Sequence, residues 1–479
     1  MSHIRSRIAV APLGRPCESR AAVLVDDVVR QRRPDLPVHC LRPSTLRAAA
    51  ATFVAGFPGT VLYAVKCNPN PAVLRALWDG GVRHFDCASA GEVALVRTTL
   101  PRAHIHFMHP VKSRSAIREA WERRGVQDFV VDSAGELDKI AAETAHRPGR
   151  PGIVVRLALP RGGARYDLSG KFGAAPDEAV ALLHAARALG ARLGISFHVG
   201  SQCTDPAAWT RALDLTALVL ARFGHPVDVI DVGGGFPVSY PDVTPPPPDD
   251  FFAAIGQGFR RLNLPAATEL WCEPGRALVA PGQSLVVRID GRRGDHLYIN
   301  DGVYGSLSDA GVPAFRFPCR LIRAGGVSAA PAHAFVLFGP TCDSADRMEG
   351  PFLLPADAKE GDWIEIGQLG AYGASLRTGF NGFDRTLEVE VDDPPMLATP
   401  GNVALSLAAR PRRRPSQERP ALIHLTRGGI WYEQPCFLYR PRGHHRIWQL
   451  GPRRLAAAFA PFQPGALQGH HHHRRGTGT

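Results

Sequence analysis

The stretch that decides the fold runs Val61-Leu-Tyr-Ala-Val-Lys-Cys-Asn68 and continues through Asn70 to His84-Phe-Asp-Cys-Ala-Ser-Ala-Gly-Glu92. An apolar run over 61–65 ends on Lys66, helical periodicity fills 70–78, and a second run over 84–87 leads into Ser89-Ala-Gly-Glu92. Short apolar runs without alternation fit strands buried on both faces, and strands separated by helices fit a parallel sheet. The S-x-x-E pattern marks a helix start, and it recurs at Ser133-Ala-Gly-Glu136.

Working outward, further strand-like runs fall at 105–108, 128–131, 153–157, 194–199, 227–232 and 269–272. Helical stretches over 133–145, 176–189 and 206–222 separate several of them. Eight such units predict a (β/α)8 barrel, with a doubly wound sheet as the alternative. After Arg276 the runs at 284–289, 296–299, 335–338 and 363–366 are β-like and separated by Gly, Pro and Asp, which predicts a mainly β domain. A run at 38–41 is expected to add a strand to it. The expected organisation is an N-terminal segment 1–42 contributing to the β domain, a barrel over 43–280, the β domain over 281–395 and an Arg-rich, poorly ordered tail over 396–479. The Pro-rich run 244–250 reads as a surface loop.

Charge and composition exclude several classes. The net charge is +12, but residues 396–479 hold 13 Arg and two acids, so the rest of the chain is almost neutral. A nucleic-acid partner for the main body is therefore not expected. No uninterrupted apolar stretch spans a bilayer, a secretory signal is not expected because Met1 to Val10 lack an apolar h-region, and nine Cys occur without C-x-x-C pairs. A cytoplasmic protein with reduced thiols and no metal site is expected, and no P-loop is present. Only five of 56 basic residues are Lys: Lys66, Lys112, Lys139, Lys171 and Lys359. Where arginine otherwise carries the charge, a retained lysine is a candidate for work that needs an amine, although Lys139 and Lys359 read as leftovers.

In a barrel, chemistry sits at the C-terminal strand ends. Those ends here carry Lys66, Asp86, His109, Asp132, Arg156, His198, Gly233-Gly234-Gly235 and Glu273. A strand-terminal Lys ordinarily reaches solvent, but its rarity points Lys66 towards Schiff-base chemistry with an amine of depressed pKa. Three glycines make a tight turn or a phosphate cradle. Glu273-Pro-Gly-Arg276 places another Gly beside it, and His198 is a core histidine or a ring stacked on a flat cofactor. An imine-forming amine, a phosphate cradle, an imidazole and a buried acid together meet the needs of pyridoxal phosphate.

These residues resemble the fold-type III pyridoxal-phosphate decarboxylases: the ornithine, lysine/ornithine and diaminopimelate decarboxylases of the alanine racemase-like barrel family. Carrying the resemblance are Tyr63-Ala-Val-Lys-Cys-Asn68, Phe85-Asp-Cys-Ala-Ser89, Ser196-Phe-His-Val-Gly-Ser201, Asp231-Val-Gly-Gly-Gly-Phe-Pro237, Glu273-Pro-Gly-Arg276, Asn300-Asp-Gly-Val-Tyr-Gly-Ser306, Gly339-Pro-Thr-Cys-Asp343 and Phe380-Asn-Gly382. It runs from about Val38 to Asp384 and is nearest to the ornithine enzymes. It implies a covalent imine at Lys66, a ring packed on His198, and a phosphate held by Ser201, Gly233–Gly235, Gly275, Arg276 and Tyr372. Asp86, Glu92 and Arg156 would surround the cofactor. Glu273 would pair with the ring nitrogen and favour decarboxylation, where racemases of the same barrel carry Arg.

A head-to-tail homodimer is also implied, in which Cys342 and Asp343 of one subunit complete the other's pocket beside Tyr304. Cys342 would act as general acid and Asp343 would bind a distal ammonium. The expected reaction is L-ornithine to putrescine and CO2 in polyamine biosynthesis; lysine or diaminopimelate decarboxylation, or an inert cofactor-binding regulator, are the alternatives. One departure stands out. Ornithine enzymes carry a second acid beyond the Tyr-Gly-Ser motif, whereas here Asp309 follows at a shorter spacing.

Overall fold

The structure is a computed structural model, and it describes residues 22–160, 164–165 and 170–400. The expectation of a poorly ordered tail falls, beyond residue 400, outside the described residues.

A strand β1 (Val38–Leu41) precedes the barrel, whose strands are β2 (Thr60–Ala64), β3 (His84–Cys87), β4 (His104–Phe107), β5 (Asp128–Val131), β6 (Gly152–Arg156), β7 (Arg192–Ser196), β8 (Val229–Asp231) and β9 (Glu269–Cys272). They pair in parallel in chain order and β9 closes onto β2. The doubly wound alternative is thereby excluded. Inside the barrel Leu62, Met108, Val130, Val154, Val229 and Trp271 form one buried cluster. Gly194 of β7 leaves room for it: a Cβ there would sit 3.1 Å from Val154 and 3.2 Å from Val229. The alternate strand residues, such as Tyr63, Phe85, Phe107 and Phe129, pack outward with the helices in the main core. Burial on both faces is why these strands read as unbroken apolar runs.

Local signals worked unevenly. Ser89 caps its helix, accepting from the Glu92 amide at 3.2 Å, and Glu92 reaches back to the Ala88 amide at 2.7 Å. Ser133 makes no such bond. Its partner Glu136 is drawn instead to the buried Lys112 ammonium at 3.0 Å and to Lys139 at 2.5 Å, so Lys139 is not a leftover. The expected loop at 244–250 is cut short because Pro248 opens a helix, Pro248–Arg261, where its missing N–H costs nothing.

The second layer of architecture is a mainly antiparallel sheet of β10 (Gln283–Arg293), β11 (His296–Ile299), β12 (Cys319–Ile322), β13 (Ala332–Phe338), β14 (Arg347–Pro355) and β15 (Trp363–Ile366), in the order β12-β15-β10-β11-β13-β14. As expected, β1 joins it, antiparallel to β10, and is flanked by β16 (Leu387–Glu390). Just after β1, buried Arg42 bonds Glu365 at 3.0 Å and Ser284 at 2.9 Å, and Arg320 takes the other Glu365 oxygen at 2.7 Å. Both carboxylate oxygens are therefore satisfied, the condition for a tolerable buried ion pair.

His39 of β1 is buried with its Nε2 3.2 Å from Ser306 Oγ. Burial lowers its pKa from 6.5 to about 4, against the pull of Asp301 and with help from Arg377. A group neutral in the fold and protonated when unfolded stabilises fully above pH 6.5 and loses that contribution as pH falls from 6.5 to about 4. The loss is on the order of 3 kcal/mol. Urea midpoints at pH 7 and pH 4.5 should therefore drop less on acidification in His39→Gln than in the parent; equal drops would contradict this assignment.

Candidate active site

The C-terminal strand ends of the barrel open into a cavity of about 400 Å³. Its wall includes Lys66, Arg156, His198, Ser201, Glu273 and Arg276, together with Gly235, Gly275 and Tyr372. The structure thus brings together most of the residues singled out in the barrel. Asp86 sits behind Lys66, and Glu92 acts one step further back, through the amide of Ala88, which lines the cavity.

Lys66 Nζ lies 3.2 Å from Asp86 Oδ2. Burial favours the neutral amine, but the Asp86 and Glu273 carboxyls outweigh it and raise the pKa above the ordinary lysine value. The expectation of a depressed pKa is corrected: β2, β3 and β9 converge two acids on one ammonium. The acids are themselves crowded. Burial, Asp231 and Asp86 push Glu273 well above the carboxylate range, and burial raises Asp231 to about 6. Adjacent buried carboxyls cannot both ionise, so this corner holds a proton near neutral pH. Asp231 precedes the Gly-rich turn, but its role comes from its place on β8 beside β9.

His198 Nδ1 accepts from the Gly200 amide at 3.0 Å, which leaves the ring proton on Nε2. Burial, Arg156 and Lys66 hold the pKa well below 6.5, so the ring is neutral. The glycines pack tightly around it. Gly233 and Gly235 have φ of +63° and +104°, and a Cβ would lie 2.0 Å from Phe197 O and 2.4 Å from Gly200 O respectively. At Gly234 a Cβ would meet His198 Nε2 at 3.0 Å and Glu273 O at 2.7 Å.

Arg276 is buried and committed on one side, with Nη1 to Tyr240 at 2.9 Å and Nη2 to Asp309 at 2.9 Å. Among the described residues its Nε has no acceptor. Asp309, at the shorter spacing after the Tyr-Gly-Ser motif, is buried and pairs with Arg276 at 2.9 Å. An orphaned cationic donor beside a glycine-walled turn, a neutral flat ring and a lysine fit pyridoxal phosphate. Gly233→Ala should weaken cofactor binding roughly 10-fold or more, read by absorbance titration of the cofactor, because the residue would be strained and clash with backbone. Unchanged affinity would remove the cradle from the account.

Cys342, Asp343 and Tyr304 do not line this cavity. They lie together on the sheet domain, where Tyr304 donates to Asp343 Oδ2 at 2.5 Å. The Ala345 amide and Tyr304 hold Asp343 below the ordinary carboxylate range. Asn381 Oδ1 accepts from the Cys342 amide at 3.2 Å and from Sγ at 3.3 Å. Buried Asp346 braces the two loops, accepting from Val303 N at 2.8 Å and Thr341 N at 3.1 Å. No local pattern marks Asp346 for this role, and Asn381 is marked only by lying within Phe380-Asn-Gly382.

Comparison with known proteins agrees with this geometry. Residues 44–280 match the pyridoxal-binding domain of the pyridoxal-dependent decarboxylases, and residues 249–370 match their C-terminal sheet domain. An ornithine decarboxylase from Panagrellus redivivus is 31% identical over 404 residues, 79% of this chain and 90% of its own length. Among solved structures, the lysine/ornithine decarboxylase of Vibrio vulnificus complexed with cadaverine is 32% identical with a TM-score of 0.66, covering 77% of this chain and 98% of that one. The arginine decarboxylase of Paramecium bursaria Chlorella virus is 27% identical with a TM-score of 0.68, over 77% and 99%. Among the described residues no helix is long and apolar enough to cross a membrane. With its lysine, acid pair and glycine cradle at the mouth of a closed barrel, the chain belongs to the pyridoxal-dependent decarboxylases of basic amino acids and uses pyridoxal phosphate.

Proposed function

We propose that the protein converts L-ornithine to putrescine and CO2, at sites completed by a second copy of the chain, as a cytoplasmic step of polyamine synthesis. When bound, pyridoxal phosphate supplies an aldehyde and an electron-withdrawing ring that takes up the electrons released as CO2 departs. Lys66 is the amine that would anchor it. Arg276 Nε, Ser201 and the Gly233–Gly235 turn would hold its phosphate, and Tyr372, stacked 5.1 Å from the Arg276 guanidinium, closes that end. His198 offers a neutral face to the ring. Glu273 would hold its proton at the ring nitrogen, since the crowded Asp231–Glu273 corner retains one at working pH.

The second half of the chemistry stands on the sheet domain. Cys342 Sγ, aimed by its contact with Asn381 Oδ1 at 3.3 Å, would deliver a proton to the substrate carbon as general acid. Because Cys342 and Asp343 lie away from the Lys66 cavity of their own chain, a head-to-tail dimer is the arrangement that unites them with it. Exposed Leu376, Phe380 and Phe383 near the Cys342 loop supply apolar surface for that contact.

Asp343 carries the choice of substrate: a half-buried acid kept ionised suits a distal ammonium. With Asp309 turned to Arg276, it acts without the second acid, and lysine is the reading next in line. The test incubates the protein with pyridoxal phosphate and, separately, L-ornithine, L-lysine, L-arginine and diaminopimelate, and identifies the product. Putrescine is expected. Cadaverine, agmatine or lysine as the main product reassigns the substrate, and no product with cofactor bound indicates an inert regulator.

A further inference from the structure

Lys112 has no place in the chemistry above, yet it is one of only five lysines and its side chain is fully buried. Its ammonium meets three acceptors: His109 O at 2.8 Å, Val130 O at 2.7 Å and Glu136 Oε1 at 3.0 Å. An ammonium has three tetrahedral donors, so all are satisfied; a planar guanidinium with five would leave buried N–H groups unpaired. That accounts for lysine here in a chain that otherwise uses arginine. It does not explain why a charge is buried at all, at a cost that pulls its pKa down to about 8 despite Glu136.

The owners of those acceptors give the reason. His109 and Pro110, just past β4, line the active-site cavity. Val130 lies in β5, and two residues on, Asp132 Oδ2 accepts from the Gly173 amide at 3.0 Å. Gly173 follows Phe172, another cavity residue, whose ring meets His109 edge-on at 5.2 Å. One ammonium therefore joins the two strand ends that support the two halves of one wall.

We propose that Lys112 is a positioning residue: by fixing the β4 end against the β5 end, it holds His109, Pro110 and Phe172 at the spacing the bound amino acid requires. The proposal rests on the decarboxylase reading, which makes this cavity the amino-acid site. In Lys112→Met holoenzyme, KM for the amino acid the parent decarboxylates should rise about 10-fold or more, because small displacements of a positioning wall are costly. The change in kcat should be smaller, and cofactor affinity by absorbance titration should stay within about twofold. Amide hydrogen exchange should increase at 109–112 and 171–174 but not at 193–196 on the far side of the barrel.

Lys139→Met removes the other ammonium from Glu136 and its 2.5 Å bond to the Lys112 carbonyl, but none of the three bonds of the Lys112 ammonium, and should change KM and wall exchange less than Lys112→Met does. Should Lys112→Met not fold, Lys112→Gln carries the same test, and Asp132→Ala, which cuts the link to Gly173, should raise KM in the same direction. Parental KM and parental wall exchange in a folded Lys112 variant would overturn the proposal. A parent that decarboxylates no amino acid would sink the functional reading alone, since the exchange comparison still decides whether Lys112 holds the wall.

Discussion

Lys66→Ala is expected to lower kcat by at least about 10³-fold while leaving a folded protein that still binds pyridoxal phosphate weakly, since it removes the covalent nucleophile but not the cradle. Lys66 points into the cavity with 44% of its side chain accessible, so truncation creates no core void. What it does remove is the cation between Asp86 and Glu273. Glu273, already raised by burial and its acidic neighbours, then loses a cation that opposes that rise and is expected to shift further towards the protonated form. The melting temperature should change little, and the visible absorbance of the lysine-bound cofactor should disappear. A variant retaining that absorbance and a tenth or more of the activity, by our estimate of what adventitious chemistry could supply, would move the anchoring role to another amine.

The second large effect is gained rather than lost. On the proposed shared sites, the Lys66→Ala and Cys342→Ala proteins are each expected to be nearly inactive. After subunit exchange a random mixture contains about half heterodimers, each with one intact site of two, so activity should return to roughly a quarter of the parental value. The structure provides the reason for expecting this: Lys66 lines the barrel cavity and Cys342 does not. No recovery despite demonstrated exchange would place both residues in one chain's site.

The barrel was legible because parallel strands buried on both faces leave apolar runs, and their ends were displaced by at most three residues. The run at 194–199 is displaced most: the paired strand stops at Ser196, and the apolar pattern runs on through Phe197, in the core, and Val199, with His198 between them on the cavity wall. The Gly-rich cradle was legible for a similar reason, since glycine spacing reflects backbone constraints that act locally. Charge was not. That Asp86 and Glu273 both face Lys66 depends on strands far apart in sequence closing a barrel, and this reversed the expected direction of the lysine pKa. Likewise nothing in the spacing after Ser306 shows that Asp309 turns to Arg276, a partner in another domain. The Ser133 motif failed because Glu136 had a buried ammonium to satisfy, a demand no local pattern displays.

The central claim is that Lys66 is the amine that binds the cofactor, and reduction of the holoenzyme with borohydride followed by peptide mass analysis tests it most directly. With only five lysines in the chain the result is unambiguous. The cofactor's mass should be fixed on the peptide carrying Lys66 and absent from those carrying Lys112, Lys139, Lys171 and Lys359. Label on any of those four instead, or on none, would contradict the account.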